Sequence, residues 1–266
     1  MKRLSVFYIK CLKRRLKVNK VAIITGSSGD IGSELVNIYL KDNYFVIGVD
    51  CSNQSIQNKN YIHIKEDLNY FSDKKNLKES FIIDIKKNLP NKIIDFIIIN
   101  NAANQILKEI SSLTIDDWSN TLGVNLLAPF FMIQSFFDLL SKYNGKVLNI
   151  SSIHAKQTKA NFSAYAASKA ALESLTRSLA IELSPHGISI NTVSPAAIDT
   201  KMLMEGFKDD LSKIQELKNA HPTKSIASSK ELASFVKTIT DHKGKFLTGS
   251  VIDFNGGISS VLHDPN

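Results

Sequence analysis

The chain has 266 residues, enough for one large domain with a real core, and its 43% apolar and 22% charged residues suit a soluble globular protein. Two cysteines (Cys11 and Cys51) form no disulfide framework, and six scattered histidines include no H-E-x-x-H pair, so no protein-held metal is expected. Every apolar run falls short of the roughly 20 residues of a membrane span, which leaves a reducing, cytoplasmic setting as the expectation.

The net charge of +8 has a local origin: residues 1–20 carry eight basic side chains and no acid, and the rest of the chain holds 25 of each sign. A nucleic-acid binder carries its positive charge on the folded domain, so no nucleic-acid partner is expected. Residues 1–18 read as a basic extension, disordered or helical. As a helix it places Leu4, Phe7, Tyr8, Cys11 and Val18 opposite Lys10, Lys13, Arg14 and Lys17. A frayed tail, contact with an anionic membrane surface or acidic partner, and an organelle presequence all fit that pattern. The apolar stretch of a secretory signal is absent.

From residue 20 onward, apolar runs alternate with helical patterns. Strand signals occupy 20–25 (KVAIIT), 44–49, 61–64, 93–99, 146–150, 189–193 and 250–254. Helix-length patterns fill 31–41, 73–88, 114–142, 163–184, 201–218 and 229–240, with Pro129 predicted to kink the third of these or mark a join. The polar stretch between Asp50 and Asp67 reads as a loop with little room for a helix. Strands apolar on both faces and separated by helices call for an α/β fold. The prediction is a doubly wound, Rossmann-type parallel sheet of about seven strands, helices on both faces, in a single domain spanning 19–266.

The first strand runs into Thr25-Gly26-Ser27-Ser28-Gly29-Asp30-Ile31-Gly32. Glycines here permit a tight turn and close approach of a ligand, while the amides and dipole of the following helix attract a pyrophosphate. Gly26, Ser28, Gly29, Asp30, Ile31 and Gly32 are therefore candidate cofactor contacts. Asp50 ends the second strand, where a carboxylate accepts hydrogen bonds from the adenosine ribose and repels a 2′-phosphate. With no Arg or Lys between Asp50 and Gln57, NAD is preferred and NADP less favoured. Asp67 and Leu68 follow the third strand, where they could meet the adenine edge.

Tyr165-Ala166-Ala167-Ser168-Lys169 places a phenol and an ammonium one helical turn apart, with Ser152 thirteen residues upstream of the tyrosine. A phenol titrates near 10, and a fixed ammonium one turn away is expected to lower that value and make Tyr165 a usable acid/base. A tyrosine and a lysine on an amphipathic helix are otherwise commonplace, and it is their company that matters. Asn100-Asn101-Ala102-Ala103, Asn125 in VNLLAPF, Asn149-Ile150-Ser151-Ser152, Asn191 through Pro195 and the closing 247–257 segment stand in order around them.

With these motifs assembled, the chain from about Lys20 to Gly257 resembles the short single-domain branch of the short-chain dehydrogenase/reductase family. The resemblance implies that Tyr165 is the general acid/base and that Lys169 tunes it and holds the nicotinamide ribose. Ser152 would hydrogen-bond the substrate oxygen, and Asn125 would hold a water relaying protons towards Lys169. Asn101 would sit by the cofactor ribose, and Ile198 and Thr200 would meet the nicotinamide carboxamide. The family's habit of assembly implies a homotetramer or homodimer. Four departures stand out: Asp30 replaces the middle glycine of the loop, Ala103 the last glycine of N-N-A-G, Ala196 the glycine after Pro195, and Asn255 an acid. None removes a proton-transfer group. His154 either reaches the substrate or rims the cleft, and 201–228 reads as a lid with Met202, Met204 and Phe207 as its apolar contacts.

The expected function is an NAD(H)-dependent oxidoreductase interconverting a secondary alcohol and a ketone on a small or medium substrate. The alternatives are an NADP(H)-dependent 3-oxoacyl-thioester reductase and an oxidoreductase acting on activated sugars or cell-envelope precursors. A scaffold that kept the fold and lost turnover would not need Asn125, Ser152, Tyr165 and Lys169 together.

Overall fold

The computed structural model describes residues 19–54, 56–69, 75–208 and 210–262. The basic extension assigned to residues 1–18 lies outside the described residues. One sheet contains β1 (Lys20–Thr25), β2 (Tyr44–Asp50), β3 (Tyr61–Lys65), β4 (Asp95–Asn100), β5 (Lys146–Ile150), β6 (Ser189–Pro195) and β9 (Val251–Phe254). The order is β3-β2-β1-β4-β5-β6-β9, with every neighbouring pair parallel. A separate two-residue pair joins β7 (Ile198–Asp199) to β8 (Ala227–Ser228).

The strands form because their side chains are apolar on both sides, and the period of two sorts them into two cores. Ala22, Ile24, Val46, Ile97 and Ile99 point one way, against Leu35, Val36 and Tyr39 of α1 (Asp30–Lys41) and Leu232 and Val236 of α9 (Ser229–Asp241). Val21, Ile23, Ile47, Phe96 and Ile98 point the other way. There they meet Ile82 and Ile85 of α2 (Lys75–Asn88) and Leu179 and Leu183 of α6 (Ser163–Leu183). The winding reverses between β1 and β4, which opens a crevice above their carboxyl ends.

Two helical predictions need correction. Residues 114–142 do not form one helix, and Pro129 marks a join rather than a kink. They divide into α3 (Ile115–Leu122), a π-helical turn Gly123–Leu127, α4 (Ala128–Ser135) and α5 (Phe137–Lys142). Pro129 has no N–H to offer the carbonyl four residues back, which belongs to Asn125, and the turn widens just ahead of it. Residues 201–218 likewise form two helices, α7 (Lys201–Gly206) and α8 (Leu211–Ala220), because each has its own cap. Thr200 Oγ1 accepts from Leu203 N at 3.2 Å, and Asp210 Oδ1 accepts from Ser212 N at 3.0 Å. Among the described residues no helix is long and apolar enough to cross a membrane, and no side-chain group is arranged to hold a metal ion.

Candidate active site

A cavity of about 710 Å³ lies over the carboxyl ends of the strands, between the glycine loop, Asp50, the start of α6 and α7. Every predicted cofactor or catalytic residue lines it except Asn125, whose neighbours Val124 and Asn104 do. Two of the three glycines are sterically required. Gly26 has φ +66°, and a Cβ on Gly32 would stand 1.9 Å from the Gly26 carbonyl oxygen. Gly29 is tolerant, since a Cβ there would meet nothing nearer than 3.6 Å. Asn101 braces this loop against β4: its Nδ2 donates to the Thr25 and Gly26 carbonyls, each at 3.1 Å. Ser28 Oγ is buried without a hydrogen-bond partner. An orphaned hydroxyl beside the amides of a helix start fits a phosphate ligand.

Asp50 Oδ2 accepts from Ser28 N at 3.0 Å and Oδ1 from Ser52 N at 2.8 Å, so the carboxylate also shapes the loop. Residues 51–57 carry no cation, but strand register supplies one. β3 pairs Lys65 with Asp50, and Lys65 Nζ donates to Asn53 Oδ1 at 3.1 Å. Asp67 and Leu68 line the cavity beside Glu66, whose carboxyl is raised by burial. Asp30 stands where the resemblance expects glycine, and its Oδ2 accepts from Lys201 N at 2.6 Å. That bond ties the glycine loop to the start of α7. Ile198 in β7 and Thr200, the cap of α7, complete this wall.

At the other end, Ser152 follows β5 while Tyr165 and Lys169 occupy the first turns of α6, all on one cavity. Lys169 is 2% exposed, lies 5.7 Å from the centre of the Tyr165 ring, and donates from Nζ to the Ile150 carbonyl at 2.8 Å. Ser151 Oγ instead donates to the Lys169 carbonyl at 3.4 Å, a structural role. The expectation that the ammonium pulls the phenol's pKa down needs correcting. Burial pushes Tyr165 up to about 12, opposed by its hydrogen bond with Ser152, and the same burial pulls Lys169 down to about 8. Desolvation is the main cause at both groups, so the pair presents a protonated phenol beside an ammonium at neutral pH.

Asn125 is fully buried in the π turn. Its Oδ1 accepts from Asn104 N at 2.7 Å, and Nδ2 donates to Asn104 O and Ser168 Oγ, each at 2.9 Å. One amide proton thus braces the segment after β4, and the other binds Ser168 on α6, the residue before Lys169. Beneath the site, a buried chain not anticipated from sequence links four elements. Asn100 Nδ2 donates to Asn149 Oδ1 at 2.8 Å, Asn149 Nδ2 to Thr176 Oγ1 at 2.9 Å, and Thr176 meets Thr192 at 2.7 Å. Only the tertiary fold brings these residues together. His154 rims the cavity, stacked on Phe162 with centroids 4.1 Å apart, and burial followed by the nearby Lys159 charge lowers it to about 4.

The family model described as short chain dehydrogenase matches residues 20–211. A 3-oxoacyl-acyl-carrier-protein reductase, FabG, of Buchnera aphidicola subsp. Baizongia pistaciae is 30% identical over 241 residues, covering 90% of this chain and 87% of that protein. An NAD-dependent glycerol dehydrogenase of Listeria innocua is 26% identical, covering 90% of this chain and 93% of its own length. The solved aldohexose dehydrogenase of Thermoplasma acidophilum superposes with a TM-score of 0.82 at 26% identity, covering 93% of this chain and 98% of that one. The chain belongs to the short-chain dehydrogenase/reductase family. It is a dehydrogenase/reductase enzyme of the NAD(P)-binding Rossmann fold.

Proposed function

We propose that the enzyme is an NAD(H)-dependent oxidoreductase that interconverts a secondary alcohol and a ketone on a small or medium substrate. The observation that carries this reading is the convergence of Ser152, Tyr165 and Lys169 on the cavity that also contains the glycine loop and Asp50. A nicotinamide held in this cavity would supply or accept the hydride. The chain's own residues manage the oxygen. Ser152 hydrogen-bonds it, and Tyr165, held protonated, delivers a proton to it during ketone reduction. Lys169 keeps a positive charge beside that phenol, and its 2.8 Å bond to the Ile150 carbonyl fixes its position. Asn125 acts on this site as a brace, through Asn104 and Ser168.

NAD is preferred because Asp50 lies on the cavity wall at the end of β2, a position that repels a 2′-phosphate. The NADP(H)-dependent thioester reductase stays as the second reading because Lys65 stands beside Asp50 and FabG proteins are among the relatives. Ile115 on α3 and Ile181 on α6 are each 78% exposed, which supports assembly through those helices as a homotetramer or homodimer. A cytoplasmic location accords with the lone exposed thiol among the described residues, Cys51. A panel of ketones and alcohols, assayed with NADH, NADPH and their oxidised forms by nicotinamide absorbance, tests the reading. Turnover with NADH on a ketone is the expected result; no hydride transfer with either cofactor on any carbonyl or alcohol would remove it.

A further inference from the structure

The charges lining the cavity are unevenly distributed. Its acids, Asp30, Asp50, Glu66 and Asp67, all belong to the glycine loop and the ends of β2 and β3, the end assigned to the cofactor. The wall around Tyr165 has no carboxylate. It carries apolar side chains such as Leu107, Ile153, Met202 and Leu203, together with Lys159. The mechanism uses Lys169, which is buried and bonded to Ile150; it does not use Lys159.

Lys159 is exposed to the cleft, with two aromatic rings flanking its head group. Its Nζ lies 5.0 Å from the centre of the Phe162 ring and 5.0 Å from that of Phe207. Phe162 is 6.2 Å from the Tyr165 ring, and Phe207 directly follows the lid helix α7, so the ammonium stands between the reaction centre's floor and its lid. Among the described residues it has no carboxylate partner, whereas the nearby Lys156 pairs with Asp253 at 2.8 Å. Two aromatic faces position a cation without neutralising it. The adjacent imidazole, His154, bonds Thr158 at 3.0 Å and stays uncharged at neutral pH, so it neither competes for an anion nor repels one.

We propose that Lys159 anchors an anionic oxygen group, a carboxylate or a phosphate, carried by the substrate at the end away from its reacting carbon. The inference rests on the oxidoreductase reading and names its substrate class: hydroxy and oxo compounds with an apolar body and an acidic head. Closing α7 and Phe207 over such a substrate would shield the pair from water and strengthen it.

The test compares wild type, Lys159→Gln, Lys159→Arg and the control Lys156→Gln. Each is assayed with NADH on short oxo acids and oxoalkyl phosphates against the matching methyl esters and unphosphorylated ketones. The readout is the ratio of kcat/KM for the charged over the uncharged partner. A charge-assisted hydrogen bond predicts that Lys159→Gln lowers this ratio about 10- to 100-fold. Lys159→Arg keeps most of it, Lys156→Gln leaves it unchanged, and the acid and phosphate arms show which head group is recognised. The same probes titrated into the protein–NADH complex, followed by nicotinamide fluorescence, report binding without turnover. An equal ratio in wild type and Lys159→Gln, with binding also unchanged, overturns the anchor while leaving the oxidoreductase reading in place. Oxo-acid binding that depends on Lys159 without any hydride transfer does the reverse.

Discussion

Replacing Lys169 with methionine should make the protein inactive and more stable. The ammonium is 2% exposed, and burial lowers its pKa from 10.5 to about 8. Keeping it charged in the fold near neutral pH therefore costs on the order of 3 kcal/mol. Methionine fills a similar volume without that cost, but it forfeits the 2.8 Å bond and leaves the Ile150 carbonyl without this donor. That loss is worth about 1–2 kcal/mol, so the net gain is about 1–2 kcal/mol, a few degrees in Tm.

The sign of the pH dependence follows from the depressed lysine. Below about pH 8 both folded and unfolded chains hold the proton, and the whole penalty is present. Between about pH 8 and 10.5 the folded chain releases the proton while the unfolded chain keeps it, so wild-type stability rises through that window. The methionine variant lacks this rise. Urea unfolding of both proteins at about pH 7 and about pH 10 should show the variant ahead at the lower pH and the gap closed at the higher. A variant less stable than wild type near neutrality, or a gap independent of pH, would refute the reasoning that Lys169 is kept for chemistry at the expense of stability.

Asp50→Asn keeps an acceptor for Ser28 N while removing the charge, and should raise the NADPH-to-NADH affinity ratio about tenfold or more. Fluorescence titration with the two cofactors measures this, and an unchanged ratio means the adenosine ribose lies elsewhere. Gly32→Ala would drive a Cβ to 1.9 Å from the Gly26 carbonyl, a clash with backbone that no side-chain rotation relieves. It should abolish NADH binding and lower Tm by several degrees, since overpacking of this kind costs roughly 1–3 kcal/mol or more. Wild-type binding by that variant would show that the loop does not form the cofactor cradle.

The sheet was legible because both faces of the strands are buried, so Val21–Ile24 and Phe96–Ile99 read as unbroken apolar runs bounded by turn residues. The glycine loop and the Tyr165–Lys169 spacing were equally readable, since each is a local pattern on one element. What the sequence does not carry locally depends on contacts between elements. Lys65 sits beside Asp50 only through the β2–β3 register, and the Asn100–Asn149–Thr176–Thr192 chain needs three strands and a helix in place. The π turn at Gly123–Leu127 arises from a proline four residues beyond Asn125, which signals a kink or a join but not the wider turn ahead of it. The direction of the Tyr165 shift is not legible in the sequence, because spacing reports which charge is near and not how much water the fold removes from both groups.

Tyr165→Phe tests the central assignment most directly, because it deletes one oxygen and leaves the ring that packs 6.2 Å from Phe162. The variant should keep its far-ultraviolet circular dichroism and its NADH affinity while ketone reduction falls by about 100-fold or more. Undiminished turnover on a ketone that the wild type reduces would contradict the account.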